Sequence, residues 1–390
     1  MPAMFDQWRA RSPFYNDSHE EWASTVKKFV SREIEPHIDA WERAGSLPRE
    51  LHKKAAEVGI LGLGFPEEYG GITEGVDRFH GLITGVEMAQ VGAGGLLASL
   101  MIHGVALPPV IAAGSPEIKS RVVPAVLAGE KIMALGVTEP SGGSDVAALK
   151  TRAERRGNRF IVNGSKTFIT SGIRADYFVV AVRTGGPGAR GISLLLIEKG
   201  AKGFTQTPLE KMGWHCSDTA TLYFEDVEVP VENLIGEEGG AFRGLMANFN
   251  GERVGIASSS NAFAMVCLEE ALAWARERET FGVKLNQNQA IRHKFSEMSR
   301  QIFATQAWVD RACDAVMRGK DDAGEIALLK IQGTRTMEYC AREAAQILGG
   351  ASYMRGCKIE RIYREVRPNV IAGGSEEIMM DLAAKQLGYV

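Results

Sequence analysis

The hydrophobic period of this chain changes twice, and that change limits its fold more than any single motif does. Up to about residue 133, segments such as "HEEWASTVKKFVSREIEPHIDAWERA" and "PRELHKKAAEVGILGLG" space apolar residues at three and four, the period of an amphipathic helix. Pro36 should end or kink the first of them. From about 134 to 235 the period becomes that of strands: "YFVVAVRT", "GISLLLIEK" and "TATLYFEDVEV", bounded by "GGPGARG" and "KGAKG". Within "RFIVNGSKTFITS" the pair Asn163–Gly164 predicts a hairpin turn. After Gly239 the helical period returns, with Ile291, Phe295, Met298, Ile302, Val309, Cys313 and Val316 on one face. A further helix, "AGEIALLKIQGTRTMEYCAREAAQILGG", should stop at Gly349–Gly350. The class implied is multi-domain α+β: an N-terminal all-α domain (1–133), a middle antiparallel β domain (134–238) and a C-terminal four-helix bundle (239–390).

A length of 390 residues accommodates two or three domains with sizeable cores. With a net charge of −3 there is no electrostatic reason to expect nucleic acid or an anionic membrane as partner. Five scattered cysteines, none in a CxxC pair, fit free thiols in a reducing compartment. The cytoplasm is expected, or the mitochondrial matrix if a presequence has been removed. The amino terminus lacks an apolar signal-peptide stretch, and Arg9 and Arg11 beside Asp6 make a poor presequence. Met88 to Pro116 carries no formal charge, but its glycines and Pro108–Pro109 interrupt it. Buried core helices, broken at the prolines, are expected rather than a membrane span. His103 reads as a satisfied core histidine, and no HExxH or other metal pattern occurs.

The motif "GVTEPSGGSD", Gly136 to Asp145, is a tight loop rich in backbone donors, suited to a flat polar ring or a phosphate. It is neither a GxGxxG fingerprint nor a P-loop. Near the carboxyl end, "NVIAGGSEEIMMDL" reads as a loop opening a helix, with Ser375 as N-cap and Glu376 and Glu377 as first-turn acids. Between these lie "TFITSG", "RERETFG" (Arg276–Gly282), "NQAI" (Asn288–Ile291) and "QILGG" (Gln346–Gly350).

In this order, with the early "LGFPEEYGG", the series resembles the acyl-CoA dehydrogenase family from about Phe29 to the end. The resemblance implies FAD held without a covalent bond between the β domain and the bundle, in a homotetramer whose subunits complete one another's sites. Leu135, Val137, Thr138, Gly143 and Ser144 match the family's segment along the flavin. Phe168 matches an aromatic beside the isoalloxazine, usually Trp, and Thr170 the hydroxyl near N5, with Ile169 between them also expected to bind the cofactor. Arg278, Thr280, Phe281, Gln289, Gln346, Ile347, Gly349 and Gly350 match contacts to a neighbouring subunit's FAD; Ser375 and Glu377 match the flavin side of the last loop. Arg278 offers a fixed cation for a pyrophosphate.

The family desaturates an acyl-CoA thioester and passes electrons to an electron-transferring flavoprotein. Its base is a carboxylate within reach of a Cα hydrogen, on the side away from the flavin. In many members that carboxylate is a glutamate in the loop opening the last helix, and here Gly373 takes the slot. Glu376 and Glu377 are three and four residues off, too far to be promoted. Other members, isovaleryl-CoA dehydrogenase among them, place the base on a bundle helix. The matching stretch is "NFNGERVGIASSS", and Glu252 takes that position. Asn250, Arg253, Ser144, Gly373 and Gly374 match positions lining the thioester and pantetheine, with Asn250 where aspartate is frequent. The Gly373 N–H can still polarise the thioester carbonyl. The expected activity is therefore FAD-dependent acyl-CoA desaturation with Glu252 as base. The alternatives are a same-fold oxidase, monooxygenase or desulfinase, and a non-catalytic member of the family.

Overall fold

A computed structural model describes residues 3–390. The chain begins with helices α1 (Met4–Arg9), α2 (Asp17–Phe29), α3 (Ile38–Ala44), α4 (Glu50–Glu57), α5 (Arg78–Ala89), α6 (Gly94–Leu100), α7 (His103–Ala113) and α8 (Pro116–Leu127). Strands follow: β1 (Met133–Gly136), β2 (Arg152–Arg156), β3 (Arg159–Thr170), β4 (Tyr177–Arg183), β5 (Ile192–Glu198), β6 (Phe204–Pro208), β7 (Thr219–Pro230) and β8 (Leu234–Ile235). The last region holds α9 (Ala241–Glu277), a small hairpin of β9 (Glu279–Thr280) and β10 (Val283–Lys284), α10 (Gln289–Met317), α11 (Ala323–Leu348), α12 (Lys358–Ile371) and α13 (Glu376–Gln386). By contacts the chain forms two compact units.

One unit comprises residues 40–74 and 95–249. Its eight-stranded sheet runs β6-β7-β3-β2-β4-β5-β8, with β1 beside β4. Most pairs are antiparallel, but β1 and the start of β2 meet β4 in parallel. One face buries Phe160, Phe178, Phe204 and Phe224, with Phe204 stacked on Phe224 at 5.1 Å. The other buries Val179, Leu194 and Leu196 against Leu107 and Val110 of α7 and Val122 of α8.

Two sequence expectations fail here for physical reasons. Asn163–Gly164 is not a hairpin turn: β3 runs through it, with a register shift between Val162 and Gly164. Gly164, at φ +142°, sits where an added Cβ would come within 2.7 Å of the Thr151 backbone. Asn163 and Asp226 exchange 2.9 Å hydrogen bonds across the irregularity. Glycine thus serves a bulge, and the turn falls at Gly157–Asn158, between paired Arg156 and Arg159. Nor do Pro108 and Pro109 break their helix; both lie inside α7. Pro109 cannot donate to the Val105 carbonyl, and the Asn248 side-chain amide does so instead at 3.1 Å. His103 is buried among Leu100, Leu61 and the ring of Phe65, and burial lowers its pKa to about 4, so it is neutral.

The other unit comprises residues up to Asp39, Gly75–Gly94 and Asn250–Val390. α2 passes into a π-helical turn, Val30–Ile34, and ends before Pro36. Asn16 and Asp77 cap α2 and α5 through paired boxes with His19 and His80. The imidazoles of His19 and His80 also face Asp77 at 3.0 Å, but a ring nitrogen of each accepts a cap amide. The cluster thus starts both helices, α2 and α5. α11 packs on α10, α12 and α13. On α10 the expected stripe is buried from Met298 to Cys313, but polar Thr305, Gln306 and Asp310 are buried with it. They are satisfied by Thr336, by Asn261 and by the Trp8 and Tyr15 donors. α11 ends as expected at Gly349, φ +59°.

Candidate active site

The loop after β1 is shaped by an ion pair that motif reading passed over. The Lys166 ammonium, fully buried on β3, donates to Glu139 at 2.8 Å and to the Val137 carbonyl at 3.0 Å. Glu139 also accepts the Lys150 and Thr151 amides at 2.6 and 2.8 Å. Burial alone would raise the Glu139 carboxyl, but Lys166 and these donors outweigh it and hold it at about 2. The clamp leaves Thr138 half-buried and Gly143 and Ser144 exposed. A charged residue at a buried alternation position of β3 was the available signal.

At the far end of β3, Phe168 and Ser171 both adopt left-handed backbone, φ 60° and 58°. Phe168 is 70% exposed, while its neighbour Ile169 is buried in the sheet core and Thr170 is half-buried. Asp218 fixes the turn, accepting the Ile173 amide at 2.8 Å, while its carbonyl takes the Ser171 amide at 2.9 Å. The Ser171 hydroxyl is buried without a hydrogen-bond partner. Such strain in a bulky residue that is not packed marks a functional place.

In the other unit, "RETFG" forms the hairpin β9–β10 rather than bundle helix. Phe281 and Gly282 make its two-residue turn, φ 52° and 78°, and Phe281 is fully exposed. Arg278, Gln289, Gln346, Gly349 and Gly350 are exposed, Thr280 is half-buried and Ile347 is buried. Each unit therefore presents an unpacked aromatic ring on strained backbone, beside polar groups. On the sheet unit, the exposed Phe168 ring and the buried, unpartnered Ser171 hydroxyl fit a flat, polar-edged group such as a flavin.

α9 carries the remaining candidates. Arg253, buried, donates to the Gly373 carbonyl at 2.9 Å and to the Asn250 side chain at 2.7 Å. Asn250 thus orients the arginine, three residues away on the same helix face. Gly373 and Gly374 have φ 69° and 115°. A Cβ on Gly373 would lie 2.8 Å from Cδ1 of Ile256. Ile256 is one turn beyond Glu252, so Glu252 shares the helix face turned to the glycine slot. Ile256 as the filler of that slot had no sequence signal.

The three acids now separate. Burial pushes the Glu252 carboxyl up to about 8, against the attraction of Arg253. Glu376 is paired with Arg335 at 3.0 Å. Glu377 is exposed, and its own amide and the Ser375 hydroxyl hold it below the usual carboxylate range. Ser375 occupies the N-cap position of α13, without a capping side-chain bond. A base poised near neutrality is what proton abstraction needs, and of these acids Glu252 alone is tuned that way.

Family models for the acyl-CoA dehydrogenase N-terminal, middle and C-terminal domains match residues 16–130, 134–227 and 240–388. The mouse mitochondrial long-chain specific acyl-CoA dehydrogenase is 35% identical over 378 residues, 96% of this chain and 87% of its own. The structure of a probable acyl CoA dehydrogenase from Mycobacterium abscessus is 46% identical with a TM-score of 0.94, covering 96% of this chain and all of that one. A Mycobacterium smegmatis glutaryl-CoA dehydrogenase in complex with FADH2 is 25% identical with a TM-score of 0.91, covering 99% and 97%.

Proposed function

The chain belongs to the acyl-CoA dehydrogenase family, and on that premise we propose that it desaturates an acyl-CoA thioester between Cα and Cβ with Glu252 as the base. The observation carrying this reading is the raised Glu252 carboxyl on the α9 face turned to the Gly373 slot. Glu252 takes the Cα proton, and its raised pKa makes it a strong enough base without Arg253 holding it permanently ionised. Arg253, aligned by Asn250, fixes the Gly373–Gly374 backbone. The Gly373 N–H polarises the thioester carbonyl as negative charge develops there. Ser144 and Gly374 each match a position that lines the thioester in the family.

A bound FAD would supply the acceptor for the Cβ hydrogen, as hydride, and the link to an electron-transferring flavoprotein. On one unit Leu135, Val137, Thr138, Gly143, Ser144, Phe168, Ile169 and Thr170 would hold it. Arg278, Thr280, Phe281, Gln289, Gln346, Ile347, Gly349 and Gly350 would instead hold a neighbouring subunit's FAD, and Ser375 and Glu377 are candidates on the flavin side of the last loop. The assembly is a homotetramer, and five free cysteines fit the cytoplasm or the mitochondrial matrix.

The test is anaerobic bleaching of the flavin-loaded protein by a panel of straight, branched and cyclic acyl-CoAs, beside Glu252→Gln. One acyl-CoA should bleach the wild type, with the variant slower by about 10²–10⁴-fold. A variant as fast as wild type removes Glu252 from the mechanism.

A further inference from the structure

Lys330, on α11, is wholly buried, yet its ammonium donates to two backbone carbonyls, Val370 at 2.6 Å and Gly374 at 2.8 Å. Val370 lies in the last turn of α12, where carbonyls have no helical partner and the dipole is negative. Gly374 lies just before the N-cap of α13. One ammonium therefore ties the end of one helix to the start of the next, across a loop of two glycines at positive φ.

A Gly-Gly loop has little conformational preference of its own and must be held from outside. Arg253 holds one carbonyl, that of Gly373. Lys330 holds the residues on both sides, so the Gly373 amide is bracketed between its two anchors. Because a peptide unit is planar, each anchored carbonyl also fixes the amide that follows it, those of Ile371, Gly374 and Ser375; the Gly373 amide is not gripped directly but lies in the short stretch between these fixed planes. Burying an ammonium is costly, and burial lowers this one's pKa to about 8. An apolar side chain would pack at less cost, but it would orphan both carbonyls and free the loop.

We infer that Lys330 is a positioning residue for the reaction, setting the Gly373–Gly374 backbone against which the thioester carbonyl is polarised. This rests on the desaturation reading above, and the experiment separates the two.

Flavin-loaded wild type, Lys330→Met, Lys330→Gln and Glu252→Gln are compared with the acyl-CoA that bleaches wild type fastest. Hydrogen exchange of the peptide spanning residues 368–377 is measured in parallel, without substrate. Lys330→Met should exchange faster in that peptide and lose about tenfold or more in kcat, with KM changed less than threefold, flavin content unchanged and the pH inflection unmoved. Lys330→Gln, keeping one donor group, should recover part of both. Unchanged exchange, or faster exchange with kcat intact, overturns the role of Lys330. Should Lys330→Met fail to fold, Lys330→Gln decides alone by the same two readouts. If Glu252→Gln bleaches as fast as wild type, the base assignment fails, while the exchange result still judges Lys330.

Discussion

At the scale of single residues, the sharpest consequence concerns the protonation of Glu252. A carboxyl at about 8 is mostly protonated at neutral pH and must lose its proton to act. kcat/KM for wild type should therefore rise with pH and level off above about 8, a limb measured by initial rates between pH 6 and 9. The same group affects stability with a definite sign. Its folded pKa lies above the ordinary 4.5, so its contribution is complete below 4.5 and is lost as pH climbs to about 8. In the substrate-free protein, Glu252→Gln should gain thermal midpoint over wild type as pH rises through that window. A constant difference would mean that the carboxyl is not buried as described. The Gly373 slot makes a second case. Gly373→Ala must hold alanine at φ +69° and meet Ile256, costing about 1–3 kcal/mol in denaturant unfolding. Adding Ile256→Val, which deletes the Cδ1 atom, should show positive coupling in a double-mutant cycle and restore only the steric share.

At the scale of elements, what was legible was periodicity, and what was not was long-range satisfaction of polar groups. The order of helices and strands follows from the spacing of apolar residues, which depends only on local geometry. Asn163–Gly164 misled because a glycine at positive φ serves a bulge as well as a turn, and only the approach of Thr151 distinguishes them. Pro108 and Pro109 misled because Asn248, about 140 residues later, accepts the role of the missing donor. Asn248→Leu should therefore destabilise by about 1–3 kcal/mol through the orphaned Val105 carbonyl, read from the urea midpoint at constant slope. The Glu139–Lys166 clamp was hidden for the same reason, its partners being 27 residues apart. Glu139→Gln leaves a buried ammonium without its charge partner and should cost about 3–5 kcal/mol. The pKa of Glu139 is depressed, so its contribution is whole above 4.5 and is lost as pH falls to about 2. The variant should lack that part of the wild-type acid transition, and an unchanged acid limb would sink the assignment.

At the scale of the whole molecule, the candidate site was legible as a set of matched positions, but not as an arrangement. Glu252 and Gly373 could be set against one another in the sequence; Ile256 filling the slot and Asn250 aligning Arg253 needed coordinates. The single chain also leaves Phe281, Tyr353, Tyr389 and Val390 74% or more exposed. Of these, Phe281 stands at the tip of the β9–β10 hairpin, at a position matched to a neighbouring subunit's flavin, where a large exposed ring is expected to be covered on assembly. Light scattering after size exclusion should give a mass about four times 42.3 kDa. Phe281→Asp is an informative probe, because aspartate tolerates the left-handed backbone at φ 52° and so removes the ring without adding strain. If the hairpin tip reaches a neighbour's cofactor, that variant should lose flavin and assembly together, with a matching drop in the ratio of flavin to protein absorbance. Full mass with flavin intact would separate Phe281 from the cofactor and return it to an ordinary exposed loop, leaving Arg278 and Gln346 to account for binding at that end.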